Sequence, residues 1–526
     1  MERIKEQLKV QKLKSNKAIT LIALVVTIVV LLILAGISLN LVLGNNGLIK
    51  KSKYAKEETT VADEKEKVEM AYVSAALKKL GDTVTAEELQ EELDSSVGAG
   101  KTVVTSNGDG TLNVLFNEIG HNYNVDEGTV EKVEIDNTKM AMFDTGANTM
   151  AKIHSLAQDG EIEDSGNVGI NLSIDGIKKS KTKPDISKMT DANIVSWTEL
   201  YNEYEQNPDE YKEIVPEGTK LCPIYMWFEE SGKEKTRNGF GYSEEKDETS
   251  TALQSKKVKT GIIYWWSESN NVYLNPDSSE TFSYLPYLTD ITGLSGLKTD
   301  YVTNMQKMFM WRTQNLTNVN ALRNWNTSNV KNMSDLFYSW WGKLTDISGL
   351  ENWNTAKVTN MSSMFLGCKL EDAEALRNWN TSNVIDMSYM FGDGDASSGL
   401  KSLDAISNWD VSKVTNMQGI FYNCSITDLS AISKWNVSNV TCMDSMFFGC
   451  KIQNLNAISN WNVSNVTTVN NMFAINPITD ASGINNWNIT KVTSFNSMFS
   501  GCPTHPEFTK VAGTWDDNGT FTPTTK

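Results

Sequence analysis

The chain holds few of the residues on which metal, disulfide and nucleophilic chemistry depend. Six cysteines in 526 residues are too few for a disulfide scaffold, and none forms a C-x-x-C pair. Three histidines, His121, His154 and His505, are scattered and lie far from any cysteine cluster, which leaves little material for a zinc site or a nucleophile–base pair. Basic charge is also short: Lys+Arg number 48 against 65 Asp+Glu, a formal charge of −17. Binding to phosphate backbones needs a basic footprint, so no nucleic-acid partner is expected. These shortages predict no cofactor, no metal and no enzyme. One compact core is excluded by length, which calls for two to four domains or an array that grows along one axis.

Charge disappears altogether from residues 18–43, AITLIALVVTIVVLLILAGISLNLVL. As a helix this stretch would measure about 39 Å, enough to cross a hydrocarbon core of roughly 30 Å, and it predicts a membrane partner. Arg3, Lys5, Lys9, Lys12, Lys14 and Lys17 precede it, so residues 1–17 read as a cytoplasmic leader and the C-terminal region as extracellular. The stretch exceeds the apolar core of a secretory signal, which favours a retained single-pass anchor in the cell membrane. The junction SNKAITLIALVVTIVV resembles type IV prepilins. That resemblance implies cleavage between Ala18 and Ile19, and pilin-type subunits as partners. Ala18 stands where the family mostly has Gly, and Ala23 where major pilins carry Glu, which points to a minor pilin or pseudopilin rather than a main fibre subunit.

Beyond the anchor, residues 44–80 are rich in Ala, Glu and Lys and predict a helical stalk. Residues 81–135 predict a small pilin-like α+β region. In it TAEELQEEL opens a helix with Thr85 and Glu88 as a capping box. Turn dipeptides between alternating β-formers from 105 to 135 predict hairpins. Residues 136–260 form a spacer of uncertain fold, with a short helix in FDTGANTMAKIHSLAQ and a strand and loop from Pro223. FDTG at 143–146 matches the DTG of aspartic proteases, but no second copy follows in a suitable context. A β-turn accounts for it.

From 270 to 502 the chain repeats itself. Trp325, Trp353, Trp379, Trp409, Trp435, Trp461 and Trp487 are each followed five residues later by Val, and seven further on by Phe337, Phe365, Phe391, Phe421, Phe447, Phe473 and Phe499. An earlier copy has Leu297 in the tryptophan slot, which makes eight units. All length variation falls after the Phe, where a surface turn tolerates insertion. One unit buries too little apolar surface to offset its chain entropy, so each must present the same Trp, Val, Met and Phe to its neighbours. Neighbouring Asn residues such as Asn326, Asn354, Asn436 and Asn462 are suited to satisfying backbone groups at turns.

The runs WNTSNVKNMSDLF, WNTAKVTNMSSMFLGC and WNVSNVTCMDSMFFGC resemble the BspA-like leucine-rich-repeat surface proteins of bacteria. The resemblance implies a leucine-rich-repeat solenoid on a Gram-positive surface protein, an adhesin or binder of an extracellular protein or glycan. The expected fold class is therefore multi-domain α+β: one transmembrane helix, a small α+β spacer region and a C-terminal solenoid over 270–502, with 503–526 as cap or tail. The aligned Trp and Phe are its expected core. Trp311, Trp340 and Trp341 lie off register in variable stretches and are the candidate contact residues. Cys368, Cys424, Cys450 and Cys502, each three residues after a repeat Phe, read as stacked small residues rather than a metal or disulfide ladder. Asp393, Asp395 and Ser397 stand at calcium-loop offsets, but Ser398 occupies the place of the turn Gly.

Overall fold

The computed structural model describes residues 48–79, 83–98, 101–106, 111–116, 122–132, 138–156, 174–197, 214–216, 218–237, 256–285, 287–310, 315–339, 342–393 and 399–524. They fall into two compact units, one ending near residue 133 and the other running from there to the C-terminus.

In the first unit, helix α1 (Leu48–Lys79) and helix α2 (Ala86–Ser96) accompany four antiparallel strands. These are β1 (Thr102–Ser106), β2 (Leu112–Phe116), β3 (Asn122–Asp126) and β4 (Thr129–Lys132), paired in sequence order. Helix α2 begins where the Thr85 hydroxyl accepts from Glu88 N–H and the Glu88 carboxylate accepts from Thr85 N–H at 2.8 Å, the reciprocal arrangement that satisfies two orphan donors. Val68, Ala71 and Ala75 form the buried stripe of α1 and share one core with Leu89, Leu93, Val114, Tyr123, Val125 and Val130. Tyr123 is fully buried, and its hydroxyl donates to the Glu64 carboxylate at 2.7 Å. Burial, then Glu64, pushes that phenol above its ordinary value.

The second unit opens with two small sheets and a helix that close one end of the repeat. Strand β5 (Lys139–Met142) leads into helix α3 (Gly146–Leu156). The DTG sequence is this helix's N-terminus rather than a β-turn: Asp144 Oδ1 accepts from Thr145 N–H at 2.7 Å and from Asn148 Nδ2 at 3.2 Å. Gly146 is required there, since a Cβ would sit 1.8 Å from the Ser279 carbonyl oxygen. Strands β6 (Ile174–Lys179), β7 (Lys220–Leu221), β8 (Ile224–Arg237), β9 (Lys256–Ser267) and β10 (Val272–Tyr273) complete two small sheets, ordered β10-β5-β7 and β6-β9-β8. Phe143, Ile153, Ile177, Met226 and Trp265 belong to the same continuous core as the repeat.

Two parts of the expected fold class are corrected. Three α-helices occur among the described residues, and none is long and apolar enough to cross a membrane. The stretch 18–43, with Ala18 and Ile19, lies outside the described residues. Nor do residues 270–502 build a leucine-rich-repeat solenoid. A leucine-rich repeat contributes a short strand per unit, whereas the described residues between Val272–Tyr273 and Gly513–Trp515 hold no strand. Each unit instead carries one three-residue 3-10 turn, such as Asn456–Ile458, and touches its neighbours through single parallel bridges, as in Asn332↔Asn360 and Asn360↔Asp386. The reason lies in the three-residue spacing of Ile452, Leu455, Ile458 and Trp461, all buried. Side chains three apart eclipse on a 3-10 turn, while a strand would need alternation.

Turn chemistry fills the rest of each unit. Side-chain oxygens accept from the N–H two residues on at two or three places in each unit; the Trp353 unit has all three, Asp346 to Ser348 (2.9 Å), Asn354 to Ala356 (3.1 Å) and Asn360 to Ser362 (2.9 Å). Ten residues after the tryptophan slot the backbone is left-handed in all eight units, at Lys307, Asp335, Ser363, Tyr389, Gly419, Ser445, Asn471 and Ser497. Only one of these is glycine. A non-glycine residue there costs about 1 kcal/mol, offset by a cross-unit bond that needs that turn: Ser363 N–H reaches the Ser388 carbonyl at 2.7 Å, and Ser445 N–H the Asn470 carbonyl at 2.7 Å. At Gly419 a Cβ would strike the Tyr389 ring at 2.3 Å, so glycine appears where the neighbouring unit lays a tyrosine over the same turn.

Stacking of units is carried by the aromatic columns. Each repeat Trp is 2–4% exposed. Its indole N–H donates to the carbonyl of the last 3-10 residue of the preceding unit: Trp325 to Leu294, Trp353 to Leu322, Trp379 to Leu350, Trp409 to Leu376, Trp435 to Ile406, Trp461 to Ile432 and Trp487 to Ile458, at 3.0–3.3 Å. Phe282 begins a second column that continues through Phe309, Phe337, Phe365, Phe391, Phe421, Phe447, Phe473 and Phe499, with ring centroids 5.1–6.1 Å apart. The last unit is closed by the hairpin β11 (Gly513–Trp515) and β12 (Phe521–Pro523). Its turn supplies the Gly519 carbonyl to Phe499 N–H (3.0 Å) and the Thr520 hydroxyl to Ser497 N–H (2.9 Å), groups that an absent next unit would otherwise leave unpaired.

Trp379→Ala is expected to cost about 3–5 kcal/mol, and Trp379→Phe clearly less, in guanidinium unfolding followed by circular dichroism. A second prediction concerns His154, which is buried with Nε2 3.2 Å from the Ser283 carbonyl and Nδ1 without a hydrogen-bond partner among the described residues. Burial lowers its pKa below 6.5, against a smaller opposing effect of Ser283. The unfolded chain therefore binds the proton more tightly. The stability that neutral His154 allows is complete above pH 6.5 and is lost as pH falls through that value, by up to about 1.4 kcal/mol per pH unit. His154→Gln, which keeps a donor for Ser283, should flatten this acid limb in unfolding midpoints measured from pH 7.5 to 5.5.

Candidate functional site

The tryptophans and phenylalanines of the repeat are spent on the core, so only what each unit turns outward is accessible on its surface. One outward row stands six residues after the tryptophan slot: Thr303, Lys331, Thr359, Ile385, Thr415, Thr441, Thr467 and Thr493. Each N–H after the first donates to the preceding member's carbonyl at 2.8–2.9 Å, a continuous ladder along the stack. The threonine hydroxyls of Thr359, Thr415, Thr441, Thr467 and Thr493 donate to the same carbonyls at 2.9–3.3 Å. Their hydrogens are thus spent inward, and the oxygens face outward as acceptors beside methyl groups. A second row, four residues after the slot, carries Asn and Lys. Lys357, Lys413 and Lys491 donate to Asn329, Asn383 and Asn465 of the preceding unit at 2.6–2.7 Å. These contacts hold the surface still without removing its polarity.

The post-Phe edge is more apolar. Tyr338, Leu366, Tyr422 and Phe448 are half-buried along it, and Tyr422 stacks on Phe448 at 4.8 Å. Trp311, Trp340 and Trp341, the contact residues expected from the sequence, lie outside the described residues, as do Asp395, Ser397 and Ser398. No group of His, Cys, Asp or Glu among the described residues is arranged to hold a metal ion.

The four equivalent cysteines form a column beneath this edge. Their thiols donate to the preceding unit's Phe carbonyl: Cys368 to Phe337 (3.3 Å), Cys424 to Phe391 (3.1 Å), Cys450 to Phe421 (3.2 Å) and Cys502 to Phe473 (3.0 Å). Where the seventh unit has Asn476 instead, its amide takes the same role toward Phe447 at 2.7 Å. Burial pushes the Cys368, Cys424 and Cys450 thiols far up, and Cys502 up to about 11. A protonated buried thiol is neither nucleophile nor ligand.

A concave site lies on the end sheet. Strands β8 and β9 alternate, so Tyr225 and Trp227 face outward on one, Tyr264 and Trp266 on the other. Register pairs Tyr225 with Trp266 and Trp227 with Tyr264. Trp227 and Tyr264 stack at 5.8 Å with planes 21° apart, and the Trp227 indole N–H donates to Glu229 at 2.7 Å. The segment 180–189 passes over them, tied by Ser180 N–H to the Trp265 carbonyl at 2.8 Å. Its 3-10 turn is capped by Asp185, which accepts from Ser187 N–H and pairs with Lys188 at 3.0 Å. Between segment and sheet lies an open depression of about 480 Å³, floored by Trp227 and Tyr264 and rimmed by Ser180, Asp185, Lys188 and Glu229. None of these was singled out from the sequence. The signal was present in the alternation of IYMWFEE and GIIYWWSE, which places two aromatics of each strand on one face.

Three stretches of the chain, residues 278–399, 341–428 and 426–519, match the family described as "Mycoplasma protein of unknown function, DUF285". All three fall on the repeat and its C-terminal closure. No curated protein and no solved structure matches the chain.

Iodoacetamide at pH 8 is expected to leave Cys368, Cys424 and Cys450 unmodified in the folded chain and to label all three in denaturant, read by peptide mass spectrometry. Labelling in the folded state would contradict their place in the column.

Proposed function

We propose that the chain is a bacterial surface protein, held at the membrane by its uncharged stretch 18–43, that presents the repeat array outside the cell for adhesion or for binding protein or glycan, without catalysis. The observation that supports this reading is the division of labour within each unit. Trp, Val, Met and Phe recur in buried registers, the outward rows stay polar, and the post-Phe segments differ in length and residues from unit to unit. A scaffold that repeats its interior and varies its skin suits an extended recognition surface. The Thr, Asn and Lys rows supply acceptors and donors already fixed by cross-unit bonds, which lowers the ordering cost of binding.

A second reading has its own support. Helix α1 lies against a four-stranded antiparallel meander in one core, an arrangement similar to that of pilins, and it favours a minor pilin or pseudopilin that carries the array at a fibre tip. The two readings share the presented array and differ in processing.

Protease added outside intact cells is expected to remove the array while cytoplasmic markers survive; an array protected until lysis would overturn the display reading. Mass spectrometry of the mature N-terminus then separates the alternatives. A chain that starts at Ile19 supports pilin processing, and one that retains Met1 supports the plain anchor.

A further inference from the structure

Outside the repeat, the depression between β8–β9 and segment 180–189 combines features that no structural role requires together. Its floor is two stacked aromatic rings, half-buried and facing outward. Its rim holds hydroxyl, carboxylate and ammonium groups in Ser180, Asp185, Glu229 and Lys188. A ligand complementary to such a site is flat and apolar on one face and rich in hydroxyls at its edge.

Other ligand classes fit worse. An acyl chain would meet charged walls, at a desolvation cost. A nucleotide or other phosphate ligand would face two carboxylates, while the one ammonium on the rim is already paired with Asp185. An extended peptide adds to a free strand edge, but β8 is covered at its start, where Ile194 bridges Tyr225 and the Asn193 amide donates to the Met226 carbonyl at 2.9 Å.

We infer that this depression is a carbohydrate-binding site for neutral β-linked pyranosides, with Trp227 as the stacking platform and Asp185, Glu229 and Lys188 as hydroxyl partners. In a β-glucopyranoside all ring hydrogens are axial and the hydroxyls equatorial, so each sugar face is apolar and each edge polar. The Glu229 carboxylate accepts from the Trp227 indole and so fixes the platform's orientation before ligand arrives. Glu229 has remaining lone pairs for an equatorial hydroxyl. The net negative rim selects neutral sugars over uronic acids. The site stands in the same compact unit as the repeat, and the inference deepens the binding reading above by naming one ligand class and its place.

Isothermal titration of the full chain in detergent, with cellotetraose and chitotetraose as probes and tetragalacturonate as the anionic control, tests it. Saturable one-site binding of a neutral oligomer is expected, weakened about tenfold or more by Trp227→Ala and less by Trp227→Phe, with the anionic oligomer weak throughout. Trp266→Ala, on the same face but outside the depression, should retain wild-type affinity. Circular dichroism and the unfolding midpoint establish that each variant is folded. No saturable binding of either neutral oligomer, or equal affinity in folded Trp227→Ala, overturns the inference. In that event, protease-accessible display of the array leaves the broader function standing; sugar binding by a chain whose array is shielded on intact cells does the reverse.

Discussion

Everything in the repeat depends on one hydrogen bond made over and over: an indole N–H reaching the carbonyl of the preceding unit's 3-10 turn. A buried tryptophan brings large apolar area but also a donor that must be paired. A 3-10 turn ends with carbonyls that lack intrahelical partners. Each need answers the other, and the answer lies in the adjacent unit rather than in the same one. The Leu322 carbonyl, for example, accepts both Trp325 N–H of its own unit and the Trp353 indole of the next. Removing a unit therefore strands polar groups as well as apolar surface, which ties the stack together more strongly than burial alone.

That constraint explains why regular strands are absent from the repeat. Two or three turns per unit, each held by an Asn, Asp or Ser oxygen, and a left-handed residue ten positions after the tryptophan slot keep the backbone from extending. Cross-unit backbone bonds still form, but as a ladder of single bridges in separate columns. A left-handed residue, strained in every unit but that of Gly419, is tolerated because its N–H gains a partner across the stack. The array behaves as a quasi-one-dimensional solid in which every unit is both support and supported.

Both ends need special closure, and the chain solves them differently. At the N-terminal end β6 stands in for a unit, bridging Asp290 through Gly176 and pairing Lys178 with Asp290 at 3.1 Å. At the other end a tight hairpin provides a carbonyl and a hydroxyl. Building the first end from a sheet has a functional consequence. A sheet must turn one face away from the core, and on that face the strand alternation gathers four aromatics that the repeat, with its inward columns, does not offer.

The sequence alone determined the number of units, the identity of their buried residues and the location of length variation, because a stacked array forces the same side chain into the same contact each time. The aligned Trp and Phe, the Asn turns beside them and the Thr85–Glu88 cap were all legible on those grounds. It misjudged the unit's conformation: the repeat length and the fixed Leu and Asn matched a leucine-rich repeat, although the three-residue spacing inside a unit suits a 3-10 turn better than the alternation of a strand. The depression over Trp227 and Tyr264 was decided by tertiary structure. Its rim and floor come from segments some forty to eighty residues apart, brought together by strand register and by a backbone bond from Ser180 to Trp265, and neither leaves a local mark in the chain.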